Sequence, residues 1–212
     1  MAFLHNDDGV LFFFNKCGTT MLRQTMPKGY VWYEHDSAYP AAGRTSVKEY
    51  RKRTKNILPM YILVRDPIER FISGYWHYWR HWQDDFLETK KFVNIRYKKL
   101  ITEYTFDVHM DLVKQYDNTK LINLESPDPE HDHTFFQHCV HDIGDEYVDN
   151  MEIVRLGTTS SNQFLKPLLS TTKFNAKNDP ENGYDYPDLK IDDIHLEYIH
   201  NKFRKTKERF GY

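Results

Sequence analysis

The sequence predicts an α/β protein organised around a parallel sheet. Three observations predict it. Short, continuous apolar runs such as Val10 to Phe14 and Ile57 to Val64 have the length and composition of strands buried on both faces. Stretches of helical period alternate with them, and residues able to do chemistry sit where strand gives way to helix, the end of a parallel sheet that presents ligands.

Val10 to Phe14 is the first strand, and Thr19 to Met26 a helix stopped by Pro27-Lys28-Gly29. Tyr30 to Glu34 and Ile57 to Val64 are the second and third strands. Asp66-Pro67 supplies an N-cap and a first-turn proline for a helix reaching about Gln83. Glu88 to Tyr104 and Phe106 to Tyr116 read as helices, Glu152 to Leu156 as the fourth strand, and Asn162 to Leu169 as a helix. Ile191 to Phe210 makes a last amphipathic helix. With no repeat and no low-complexity linker, residues 1–212 read as one domain.

The 29 basic and 31 acidic residues leave a formal charge of −2, which gives no reason to expect broad binding to nucleic acid or an anionic membrane. Any anion site must be local. The longest apolar run is far short of a membrane span, and Asp7 and Asp8 stand where a signal peptide would be apolar, so a soluble, cytoplasmic protein is expected. Two cysteines, Cys17 and Cys139, are too few for a disulfide framework and fit a reducing compartment.

Local anion chemistry is offered first by "FFFNKCGTTMLR". A turn from Asn15 to Thr20 would aim backbone N–H groups and two threonine hydroxyls at an anion on a helix N-terminus, with Lys16 as a mobile positive charge. The nucleotide P-loop pattern G-x-x-x-x-G-K-[ST] is absent. A solvated Lys16 on a plain strand-to-helix connection is the bland reading. A second set lies in "YILVRDPIERFISGYW", where Arg65 follows a buried strand and Ser73 lies two helical turns on. Arg65 by its paired donors and Ser73 by its hydroxyl could clamp a second phosphate; the bland reading pairs Arg65 with Asp66 or Glu69.

Together the two motifs resemble those of sulfotransferases that use 3′-phosphoadenosine 5′-phosphosulfate (PAPS), whose first motif reads like P-K-x-G-T-T and second like R-D-P-x-x-R-x-x-S-x-Y. Here they stand as Asn15 to Thr20 and Arg65 to Tyr75. Asp132-His133 with Gln137, the "EIVRLG" run, Asn175 and the closing "RFGY" extend the likeness towards the carbohydrate branch. Asn15 replaces the usual proline, and Lys173 and Lys177 stand where a late Gly-rich loop would be.

The resemblance implies a P-loop-like three-layer sandwich, with a central parallel sheet of about four to five strands flanked by helices. It also implies a soluble, microbial or viral PAPS-dependent O-sulfotransferase that releases the 3′,5′-bisphosphate PAP and acts on a carbohydrate or other hydroxyl acceptor, with no metal. Lys16 would stabilise the leaving phosphate. The backbone from Cys17 to Gly18, with Thr19 and Thr20, would hold the 5′-phosphate, and Arg65 and Ser73 the 3′-phosphate. The base would be His35, with Glu34 second, because the family places a histidine or glutamate after its second strand and imidazole titrates near ~6.5.

"HDHTFFQHCVHD" holds His131, His133, His138, Cys139 and His141 in spacings that fit no single zinc pattern, and His133 reads as a substrate contact. In "GYWHYWRHW" the stripe Phe71, Tyr75, Tyr78, Trp79, Trp82 and Phe86 reads as core, leaving Trp76 off the stripe as the ligand-facing ring. Two competing functions stand beside the transferase. One is a cysteine phosphatase using the Cys17-x5-Arg23 spacing, which lacks the usual flanking residues. The other is a nucleotide-binding or glycan-binding module that transfers nothing.

Overall fold

Two short apolar runs flank Asn6-Asp7-Asp8-Gly9, and the chain turns back on itself there. In the computed structural model, which describes residues 2–14, 16–34, 58–98, 100–119, 135, 151–169 and 184–212, β1 (Ala2–His5) pairs antiparallel with β2 (Val10–Phe13), Phe3 facing Phe12. The turn closes itself: the Asn6 N–H reaches the Gly9 carbonyl at 3.2 Å, and the Asn6 side chain accepts the Asp8 N–H at 2.8 Å. β3 (Val31–Glu34), β4 (Met60–Val64) and β5 (Glu152–Arg155) complete one five-stranded sheet in the order β3-β1-β2-β4-β5.

The sheet is therefore mixed. β2, β4 and β5 run parallel as expected, but β1, which the sequence reading left out, lies antiparallel between β2 and β3. The parallel-only sheet is corrected by this hairpin, which brings the strand that returns beside β1 into the sheet without a crossover helix. The α/β class stands.

The described residues gather into two compact units. The first holds Met1–Asp66, Ile143–Gly183 and Thr206–Tyr212, and the second Pro67–Asp142 with Tyr184–Lys205. In the first, strand alternation sends Leu4, Leu11, Phe13, Tyr61, Leu63 and Val154 to one face of the sheet, and Phe3, Val10, Phe12, Ile62 and Val64 to the other. On the former face Leu22 of α1 (Thr19–Thr25) packs with Phe164, Leu165 and the short α5 (Lys166–Leu169). On the latter lie Cys17 and Phe210. Phe12 and Phe13 are fully buried on opposite faces, each contributing roughly 1.5–3 kcal/mol relative to exposure.

The second unit is helical: α2 (Pro67–Gln83), α3 (Leu87–Tyr97), α4 (Phe106–Thr119) and α6 (Asp193–Lys202). The aromatic stripe on α2 packs against Phe92 and Val93 of α3, Met110 and Val113 of α4, and Ile199 and Phe203. The helix read as Glu88 to Tyr104 stops at Tyr97, where Lys98 takes a left-handed conformation (φ 54°) and donates its N–H to the Ile95 carbonyl. The last helix begins at Asp193, because the Asp192 side chain accepts the His195 N–H at 2.6 Å as an N-cap. It breaks at Phe203 before α7 (Arg204–Phe210). Asn162 likewise closes a turn with the N–H groups of Phe164 and Leu165 at 2.9 and 3.3 Å, so the helix read from Asn162 starts only at Lys166.

Candidate functional site

Phe13 pairs with Leu63, and Val64 with Arg155, so β2, β4 and β5 end side by side at one edge of the sheet. The chain leaving them carries Lys16, Arg65 and the loop Thr158-Thr159-Ser160. Lys16 is half-buried and held in the left-handed region (φ 65°), and Gly18, the N-cap of α1, is there as well (φ 84°). Between them the Cys17 N–H bonds the Phe14 carbonyl at 3.2 Å, and the Cys17 side chain is fully buried among Phe12, Phe14, Val64 and Phe210. Arg65 is half-buried directly after β4.

A groove of about 410 Å³ runs beside β5, lined by Val154, Arg155, Ser160, Leu169, Arg209 and Phe210 among others. Its lining comes from both faces of the sheet, so it follows the outer edge of β5. The loop above it is built by its own polar groups: the Thr158 hydroxyl donates to the Arg155 carbonyl at 2.7 Å, and Asn162 donates to the Tyr61 hydroxyl at 2.8 Å. Arg155 is committed to the chain end. Its Nε donates to the Phe210 carbonyl at 2.9 Å, its guanidinium lies over the Tyr212 ring, and a Cβ on Gly211 would run into its Nη2. The closing "RFGY" is thus the stretch against which Arg155 packs.

The remaining candidates are dispersed. Thr19 and Thr20 are the first residues of α1. Glu34 ends β3. His35, His133 and Cys139 lie outside the described residues. Ser73 is on α2, in the other unit from Lys16 and Arg65. Trp76 is 7% exposed, edge-on to Trp79 and Tyr186, and so shares the burial of the stripe from which its spacing set it apart. Arg23 lies 5.3 Å over the ring of Trp32, whose cluster occupies the sheet face opposite to that of Cys17. A Cys17–Arg23 phosphate cradle is not what this geometry builds.

Titratable chemistry in the second unit centres on His109 of α4. The ring is fully buried, its Nδ1 lies 2.7 Å from the Tyr104 hydroxyl, and its Nε2 meets no hydrogen-bond partner among the described residues. Burial lowers its pKa to about 3, so it is neutral at any physiological pH. It is a core residue, ringed by Phe71, Tyr75, Phe106 and Phe135. Among the described residues no helix is long and apolar enough to cross a membrane, and no group of three or more metal-ligating side chains converges.

Residues 40–173, more than half of the chain, match the family model described as Gill-associated viral 3C-like peptidase. No curated protein and no solved structure matches. The family match overturns the sulfotransferase assignment: PAPS as donor, PAP as product and sulfuryl transfer to a carbohydrate hydroxyl. The phosphatase and the non-catalytic binding module gain nothing from it either. The motifs that carried the likeness describe a strand, a tight polar turn and a helix start; that geometry is present, but it does not by itself specify a ligand. The matched span also holds Cys139, set among His131, His133, His138 and His141. Such a cysteine is a candidate nucleophile as well as a candidate metal ligand.

Proposed function

Because the chain belongs to the Gill-associated viral 3C-like peptidase family, we propose that it is a cysteine peptidase whose nucleophile is Cys139. The observation that carries this is the span of the match: of the two cysteines only Cys139 falls within residues 40–173. Cys17 lies outside that span and is fully buried in an apolar cluster, where no scissile carbonyl reaches it.

In such a reaction an imidazole takes the thiol proton as sulfur attacks the scissile carbonyl carbon, then passes it to the leaving amine as the C–N bond breaks. The thioester left behind is hydrolysed by water, whose proton the same imidazole accepts, and the carboxylate product departs as the thiol is restored. The base would be a histidine that the fold brings beside Cys139, and His131, His133, His138 and His141 are the first four to substitute. Nucleophile–base pairs of this kind recur on unrelated folds, so a five-stranded mixed sheet neither requires nor forbids one. The family match is consistent with a viral source, one of the two, microbial or viral, that the resemblance implied.

The test is cleavage of a diverse peptide library by the purified chain, with products identified by mass spectrometry. The parent and Cys17→Ala should cleave the same bonds, Cys139→Ala should cleave none, and one of the four histidine-to-glutamine variants should lose at least about a hundredfold in rate. Cleavage that survives Cys139→Ala, or a parent that cleaves nothing while folded, overturns the proposal.

A further inference from the structure

β5 stands at the end of the strand order, so one of its edges meets β4 and the other meets no strand among the described residues. A single bond fixes which main-chain groups face which edge. The Leu156 N–H reaches the Val64 carbonyl at 2.7 Å, and because these groups alternate in direction along a strand, those of Val154 and Glu152 also face β4. Ile153 and Arg155 therefore aim theirs outward. The Arg155 carbonyl agrees with this, since it accepts the Thr158 N–H at 3.2 Å and the Thr158 hydroxyl at 2.7 Å, both off the ladder. Along the outer edge this leaves the N–H and C=O of Ile153 and the N–H of Arg155, with no partner among the described residues.

The edge opens onto the groove of about 410 Å³, whose walls come from both faces of the sheet: Leu165 and Leu169 on the face of Val154, and Phe210 on the face of Ile153. Edge strands are commonly guarded by charge. Here the charge that ends the strand, Arg155, is tied back onto the Phe210 carbonyl and over the Tyr212 ring, and Ile153 stays 36% exposed. In the lining Glu152 and Glu208 balance Arg155 and Arg209, so the groove favours neither a strongly anionic nor a strongly cationic occupant. Main-chain hydrogen bonding and shape are what it offers.

From this edge and its groove we infer that β5 accepts an extended segment of another polypeptide as an added strand, read chiefly through its main chain. Four residues at ~3.3 Å each set the paired length at about 13 Å. A segment running antiparallel would exchange two bonds with Ile153 through one residue and accept the Arg155 N–H through the carbonyl two residues earlier. The residue opposite Ile153 shares its face and packs on it, which favours a β-branched or aromatic side chain there. A second copy of the chain is the poorer occupant, because its own β5 carries the same walls and two walled edges hold each other apart. This surface is independent of the peptidase reading.

The test is selection of a random decapeptide library on the immobilised full chain, in its Cys139→Ala form so that a peptidase would leave the probe whole. The selected peptides should share one position that is β-branched or aromatic. In the tightest of them, methylating single amide nitrogens should weaken binding by at least about tenfold at alternate residues and little at those between, because only every second N–H faces β5. Ile153→Pro removes the outward N–H and leaves the ladder to β4 intact, as an edge strand tolerates; it should keep the circular dichroism of the chain and lose about tenfold in affinity. Failure of every peptide to bind at about 1 mM overturns the proposal. So does methylation that acts equally at neighbouring amides, or a folded Ile153→Pro chain that binds as tightly as before. An Ile153→Pro chain that unfolds would put that N–H on the β4 side and overturn it as well.

Discussion

Acid should unfold this protein in part through one residue, His109. In the folded chain burial holds its pKa at about 3, whereas in the unfolded chain the imidazole titrates near ~6.5. Because the folded pKa is lowered, the unfolded state binds a proton throughout this interval and the folded state does not. Stability therefore falls as pH drops below about 6.5, by about 1.4 kcal/mol per pH unit, until the folded state also takes up the proton near pH 3. Between pH 7 and pH 5 the linkage removes about 2 kcal/mol, a large part of the stability of an ordinary domain. The physical source is plain: an imidazolium there would sit among Phe71, Tyr75, Phe106 and Phe135 with its Nε2 unpartnered among the described residues. The assay is urea unfolding followed by tryptophan fluorescence at a series of pH values, for the parent and for His109→Gln, whose amide can still meet the Tyr104 hydroxyl. Three of the four tryptophans, Trp76, Trp79 and Trp82, lie in the same cluster as His109's neighbours and report on it directly. The variant is less stable at pH 7, but its deficit should shrink by about 2 kcal/mol on going to pH 5. Parallel stability curves for the two proteins would refute the assignment of acid sensitivity to His109.

Three further perturbations follow from the geometry. Gly211→Ala places a Cβ against the Arg155 Nη2 at a backbone φ of +69°, and should cost about 1–3 kcal/mol in thermal or urea unfolding, less in an Arg155→Ala background because the clash is then gone. Asp117→Ala removes the carboxylate that accepts from both the Tyr198 hydroxyl and Lys202, and should cost about 1.5–3 kcal/mol; burial and Asp117 together raise the Tyr198 pKa, so Asp117→Asn should bring its ultraviolet titration to lower pH. Lys16→Gly should be at least as stable as Lys16→Ala, within about 1 kcal/mol, because both lose the side chain and only alanine keeps the cost of φ 65°; an alanine variant that is clearly the more stable would contradict the left-handed turn.

Most of the elements were legible because local pattern and tertiary environment agree. Val10 to Phe13 and Met60 to Val64 are central strands, and a central strand has little choice but to be continuously apolar. β1 was missed for the complementary reason. Ala2–His5 is four residues with alanine at one end and histidine at the other, and its signal is the Asp8-Gly9 pair between two apolar runs. Once that hairpin is passed over, alternation of strands and helices reads as an all-parallel sheet. The helix ends went wrong where a side chain or an unusual backbone decides them: Lys98 in a left-handed conformation without glycine, and Asn162 and Asp192 bonding backbone N–H groups ahead of the helices. Trp76 was misplaced because a stripe counted at 3.6 residues per turn considers one partner surface, whereas Tyr186 covers a second side of α2.

The turn after β2 shows why the site was harder to read than the fold. Its residue types, a lysine, a glycine and two threonines between a strand and a helix, are those an anion would need, and also those a tight reversal needs. Cys17 is held in the apolar cluster under the sheet, with its N–H on the Phe14 carbonyl. Burying that side chain while redirecting the chain from β2 into α1 puts the residues on either side, Lys16 and Gly18, at positive φ. Glycine adopts that conformation freely and lysine at a cost of about 1 kcal/mol, which burial of Cys17 and Leu22 can offset. Packing therefore accounts for the conformation of Lys16-Cys17-Gly18 without any ligand, and a motif so explained says little about chemistry. Cys139 stands in the opposite position. The family match covers Cys139 and leaves Cys17 outside it. The cysteine that the fold needs and the cysteine proposed to do the chemistry are thus different residues, and substituting each separately distinguishes the two roles.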